Sequence, residues 1–448
     1  MEVLAPRHAD LGDRKINIQI GGHPEVTLEP VKFDRYGIEG RNQATLYWAW
    51  NTNGTQPGPH VLTFSIEPGG PTWTETVTLQ PEASLPPPEP DAQWASAESQ
   101  CCVLYYITDT AAERDLPSLL ELADEQAASV SSQFGISFTE PITLTLLPRV
   151  LGHGGFTDRE ISVSYLDNNY AGTDFSLVLH HEMVHVLDER LGGDLRPTML
   201  VEGLAVYLTG GHYKPEELIP RAAALLEIDV PQPDGDPDWY LPIIPLADQF
   251  YPAQHEIGYL EAGALVQYMV ERWGWEAFSA FYRDIHPRKD GSQSKAIDDA
   301  LQKHFEISFA SLEEDFLEDL KLQEVTEDIY QDVRLTVVYY ETMRHYQQLL
   351  DPSAYFRTAW LLDNNQMRER GIVADYLRHP STPENETIEG LLVKANQRVR
   401  AGRFTQAQEI LEAIDTRLQE IEQPFIEAFS MSPLYLFSWQ SSQDVRFP

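Results

Sequence analysis

The sequence predicts a multidomain chain: an N-terminal all-β sandwich, a central α+β domain and a C-terminal α-helical region. Three observations predict it. Residues 1–80 carry short alternating apolar runs broken by Gly, Pro and Asn clusters. Five prolines between Pro81 and Asp91, with Pro86-Pro87-Pro88 among them, mark a semi-rigid linker over residues 81–94. Beyond about residue 325 the apolar spacing is helical to near residue 425. A length of 448 residues fits about three domains.

In the first region, residues 15–20, 26–33, 44–50, 60–66 and 72–79 read as strands of a small sandwich. Trp48, Trp50 and Trp73 lie among them. They are expected in the core; the competing role is an aromatic strip for glycan or protein contact.

The central domain, residues 95–325, opens with a strand at 103–107 that follows Cys101 and Cys102. Adjacent cysteines cannot staple distant parts of a fold, so they are either a vicinal disulfide or small buried residues. A helix at 116–134, a strand at 142–147 and an extended run at 160–165 come next. His153, in a Gly-rich loop, is a cleft-lining candidate whose simpler reading is a solvated loop histidine.

The most informative stretch is His181-Glu182-Met183-Val184-His185. Two histidines four apart on a helix project from one face, one turn apart, and can grip one metal ion. The glutamate after the first can hold the water such a metal polarises. Thr173 and Asp174 start this helix, Leu177, Val178, Leu179, Val184 and Leu187 make it apolar, and Gly192-Gly193 ends it. Polar groups buried there need partners. His180 points about 100° away from His181 and is read as non-ligating. The next helix, beginning near Pro197, holds one acid, Glu202, in an apolar stretch 17 positions after His185. Small Gly203 and Ala205 are expected to bring it close to the motif helix.

His181-Glu182-x-x-His185 followed by Glu202-Gly203-Leu204-Ala205 resembles the gluzincin metallopeptidases, the peptidase MA-like group in particular, over about residues 95–325. The resemblance implies a zincin-like catalytic domain and one Zn²⁺ per chain, held by His181, His185 and Glu202. It implies Glu182 as general base for zinc-activated water and a tyrosine or histidine that polarises the substrate carbonyl. Tyr259 is the candidate for that donor, with His255 and Tyr251 as rivals. Asp188 is the candidate for orienting a ligand histidine. Residues 160–165 resemble the edge strand that lays out a peptide substrate, residues 258–268 the helix closing the lower half, and residues 308–320 the terminal helix of the unit. A Pro- and Asp-rich segment at 228–256 is either a cleft wall or a surface excursion.

Residues 326–448 form the helical region. Within it, residues 384–401 and 405–421 read as a helical hairpin joined at Gly402, which packs on the catalytic domain or meets a partner; the aromatic-rich end, 431–448, is expected to dock. A formal net charge of -38 argues against nucleic-acid binding, which needs basic surface. No apolar stretch approaches the ~20 residues of a membrane span. The expected location is extracellular or cell surface, with no signal or anchor in the chain. The expected function is zinc-dependent peptide hydrolysis. An endopeptidase is favoured because the Gly-x-Met-Glu-Asn motif of related aminopeptidases is absent. The alternatives are a non-catalytic surface or adhesion protein with a zincin-like fold, and a hydrolase of something other than peptide.

Overall fold

A computed structural model describes residues 2–5, 11, 13–21, 28–34, 42–46, 50–52, 54–81, 84, 90–152, 154–172, 174–232, 238–250, 256–356, 363–377 and 379–430. Trp48, His153, Thr173, Tyr251, His255, half of the Pro-rich linker and residues 431–448 lie outside the described residues.

The chain is a multidomain α+β protein with sheets at its N-terminus and helices at its C-terminus. In the first region, β1 (Glu2–Leu4) pairs with β4 (Gln43–Thr45), and β3 (Val31–Lys32), β2 (Lys15–Ile20), β5 (Gly58–Glu67) and β6 (Thr72–Leu79) form an antiparallel sheet in that order. Alternation in β2 buries Ile16, Ile18 and Ile20 opposite Ile66, Phe64 and Leu62. Val3, Ala44 and Leu46 join the same cluster, so the two sheets share one core. Of the expected strand at 26–33, the described residues 28–33 form a strand only at Val31–Lys32. Pro30, just before it, has no N–H to donate to a ladder. Of the expected strand at 44–50, the described residues show Gln43–Thr45 as a strand, and residues 47–49 lie outside them. Trp50 is buried edge-on to His60, and Trp73 stacks on Phe64. Both rings therefore pack within the region.

The second sheet runs β10 (Gly155–Thr157), β11 (Ile161–Ser164), β9 (Ile142–Leu147), β8 (Cys102–Ile107), β7 (Trp94–Glu98). The three inner strands are parallel and the two outer ones antiparallel. Cys101 and Cys102 are joined as a disulfide. The 160–165 run forms β11 but is not the edge. The chain makes a hairpin instead, with Gly155 opposite Val163, and β10 takes the edge. Three residues that include a glycine carry no strand pattern, which hid β10 in the sequence.

Helices α1 (Ala111–Arg114) and α2 (Leu116–Phe134) lead to α3 (Phe175–Leu191) and α4 (Thr198–Thr209). Asp174 caps α3 by accepting from the Ser176 amide. Then follow α5 (Leu218–Ala224), α6 (Ile243–Gln249), α7 (Glu256–Trp273), α8 (Trp275–Arg283), α9 (Gln293–Phe305) and α10 (Phe309–Leu320). Gly203 proves to face α7 rather than the motif helix α3: a Cβ there would stand 2.4 Å from the Ala262 carbonyl oxygen. On the same contact, Gly263 of α7 faces Val206.

The C-terminal helices are α11 (Glu327–Leu350), α12 (Asn364–Arg370), α13 (Ala374–Leu377), α14 (Pro383–Arg400) and α15 (Phe404–Ser430). Val333 and Val337 of α11 enter the central core, while Tyr339, Tyr340 and Met343 pack with α14 and α15 in a second cluster. Residues between α11 and α13 return to the second sheet. Glu160 accepts from both Nη atoms of Arg368 at 3.2 and 2.7 Å, and the Gly152 amide donates to Ala354 at 2.7 Å. Among the described residues, no helix is long and apolar enough to cross a membrane.

One buried acid is held without a cation. Glu261 of α7 is fully buried; one oxygen accepts from the Leu241 amide at 2.8 Å. Burial, with Glu313 nearby, pushes this carboxyl well above the usual range and favours its neutral form. An unfolded glutamate loses its proton near pH 4.3 while folded Glu261 keeps it, so this group makes stability fall as pH rises above about 4.3 until its folded pKa is reached. Glu261→Gln keeps the amide contact and removes that slope. Its melting temperature is expected to match wild type near pH 4 and exceed it at pH 8; an equal difference at both pH values would show that Glu261 is ionised. Gly203→Ala is expected to cost about 1–3 kcal/mol in denaturant unfolding, because helix backbones must separate.

Candidate metal centre

Helix α3 carries His181 and His185 four apart, and their rings stand 4.6 Å centroid to centroid at 85°. Helix α4 brings Glu202 to them from the side. Its Oε2 lies 3.3 Å from His181 Nε2 and 3.4 Å from His185 Nε2. The three residues offer ligand atoms within 4.8 Å of one another, and could hold a metal ion. Donors about 2.0–2.1 Å from a tetrahedral centre lie about 3.3–3.4 Å apart, so the carboxylate already stands at ligand spacing from each imidazole.

The electrostatics agree with that fit. His181 and Glu202 are buried, and His185 is nearly so. Burial opposes charge on Glu202, yet His185 and His181 hold its carboxyl well below the usual range. Burial also pulls His185 down, but the Glu202 charge outweighs it and raises this imidazole to about 9. Burial takes His181 down to about 4. Without metal, then, one proton on His185 supplies the cation that buried Glu202 requires. A divalent ion would replace that proton and meet two neutral nitrogens and one carboxylate.

Glu182, on the same helix, is buried and pushed up to about 7 by desolvation. The Thr157 hydroxyl donates to its Oε2 at 2.8 Å. His180 points elsewhere, to the Oε1 atoms of Gln126 and Gln133 at 2.8 and 2.9 Å. Asp188 is buried and its Oδ2 accepts from Arg196 and from the Tyr282 hydroxyl, each at 2.9 Å. Those bonds tie α3 to α8; the Asp188 charge also contributes to raising His185.

Tyr259 of α7 is buried, with its ring parallel to that of His212 at 3.9 Å. His212 itself went unread in the sequence. It follows the glycine pair that ends α4, its Nδ1 lies 2.8 Å from Glu256 Oε2, and its ring is 5.8 Å from that of His181. The ring of Tyr340 of α11 stands 6.2 Å from that of His212. No spacing rule marks a single histidine after a helix stop. The only local signal was one titratable ring between Gly210-Gly211 and an aromatic. Thr157 was missed as well, because its partner is 25 residues away.

No family model matches the sequence, and no curated protein does. Among solved structures, the chain is similar to an aminopeptidase N family protein from Idiomarina loihiensis. The identity is 9% and the TM-score 0.29, over 71% of this chain and 69% of that one.

Glu202→Ala should weaken zinc affinity at least about 100-fold, measured by competition with a chromophoric chelator. Unchanged affinity would remove Glu202 from the ligand set.

Proposed function

We propose that this chain is a zinc-dependent peptidase, an endopeptidase, with Zn²⁺ held by His181, His185 and Glu202 and with Glu182 as general base. The observation that carries the reading is the Glu202 carboxylate at 3.3 and 3.4 Å from two imidazoles whose helix also presents buried Glu182. A purely structural metal site has no use for a buried carboxylate beside it. Zinc, when bound, supplies a Lewis acid that acidifies water and polarises a carbonyl.

The chain's own groups supply the rest. Glu182 takes the proton of the attacking water on a carboxylate oxygen and returns it to the leaving nitrogen. Tyr259 donates to the substrate carbonyl oxygen, and His212, stacked on it and nearer His181, is the second candidate for that donor. An extended peptide adds to the outer edge of β10, along which no strand pairs among the described residues. The absent Gly-x-Met-Glu-Asn motif supports internal rather than amino-terminal cleavage.

The same reading takes residues 1–80 as a β-sandwich accessory domain, 81–94 as linker, 95–325 as the zincin-like catalytic domain and 326–448 as a helical region. The core shared by the two N-terminal sheets supports the first of these. Contact with a protein or glycan is assigned to that accessory domain. The Cys101–Cys102 disulfide supports an extracellular or cell-surface location.

Zinc-loaded protein is expected to carry about one zinc per chain and to cut a peptide library at internal bonds. Glu182→Gln should keep the metal and lose at least about 100-fold in kcat/KM. Zinc bound with no cleavage by wild type would favour the non-catalytic surface or adhesion role; release of single amino-terminal residues would make the protein an aminopeptidase.

A further inference from the structure

The edge strand β10 does more than pair with β11, because its Thr157 touches Glu182. Side chains alternate along β10, so Gly155 and Thr157 share one face and Phe156 takes the other. Phe156 packs with Trp94 and Tyr376 beneath the sheet. Gly155 and Thr157 therefore face α3. A Cβ on Gly155 would stand 2.6 Å from Val178 Cγ1 and 3.1 Å from Glu182 Oε1, so only glycine lets the strand close on the helix at this point. Two residues on, where Thr157 pairs with Ile161, the strand presents a hydroxyl to Glu182 Oε2 at 2.8 Å. Threonine is β-branched, so few χ1 positions are open to it and the hydroxyl is held in place.

We propose that Thr157 is the positioning residue for Glu182: its hydroxyl holds Oε2 against the edge strand and leaves Oε1 to exchange the proton. The proposal rests on the peptidase reading above. Its physical content is a fixed carboxylate. A general base must stand within hydrogen-bond reach of the proton it takes, and a buried carboxylate free to rotate spends part of its time misaligned. The bond also ties the base to the strand on which the substrate is laid, so peptide and base are registered by one element.

The test compares Thr157→Val, which keeps the shape and removes the donor, with Thr157→Ser, which keeps the donor. In zinc-loaded protein, Thr157→Val is expected to lower kcat about tenfold or more with KM and zinc content little changed, and Thr157→Ser to recover most of kcat. Wild-type kcat in Thr157→Val, or equal losses in both variants, overturns the proposal. A second readout needs no catalysis. In a cycle of Thr157→Val, Glu182→Ala and the double variant, the double loss in melting temperature should fall short of the summed single losses by about 2 °C or more. Strict additivity overturns the proposal even where no peptide is cut. A wild-type chain that binds zinc, shows the coupling and cleaves nothing would sink the peptidase reading and leave the Thr157–Glu182 contact standing.

Discussion

A carboxylate buried between two imidazoles is the constraint from which the centre of this molecule follows. Glu202 could not remain charged in its apolar helix alone; an unpaired buried charge costs several kcal/mol. It needs a cation, and α3 supplies two nitrogens that can carry a proton or share a metal. That requirement fixes the distance between α3 and α4. The position of α4 is in turn set by α7, against which Gly203 and Gly263 let the two helices close. Tyr259 and Glu261 ride on α7, so the polar centre and the apolar contact are parts of one construction. Sites built on packed helices hold their geometry better than sites on loops.

Around this triad a second set of groups arrives from other directions. His212 comes from the turn after α4, is gripped by Glu256 at the start of α7, and has the rings of Tyr259 and Tyr340 near it. Thr157 comes from the edge strand. Tyr340 comes from α11, which packs partly on the central core and partly with α14 and α15. The C-terminal helical region thus reaches within one ring of the candidate metal centre.

What could be read from sequence was local. His181 and His185 are legible because helical periodicity alone places them on one face, and Glu182 because it follows the first of them in the motif. Glu202 is legible because a single acid in an apolar stretch demands a partner. The strand at 15–20 alternates cleanly, and the helix at 116–134 shows its apolar spacing. What could not be read depends on contacts between distant segments. β10 is too short to alternate and exists because it pairs with β11. Gly203 gave no sign of which helix it would meet. His212 and Thr157 have no meaning until α3, α7 and the edge strand are assembled.

The β10–β11 hairpin is tied at its turn by Arg368 to Glu160 and at its entrance by Ala354 to Gly152. This has a consequence for the order in which the molecule comes into being. Chains emerge from the ribosome amino end first, and folding follows that order. Both imidazoles and the Glu202 carboxylate have been made by residue 202. The residues that pin the β10–β11 hairpin are made more than a hundred positions later. The His181, His185 and Glu202 group can come together during synthesis while the edge strand is still unbraced, so β10 is held against α3 only once most of the chain has been made.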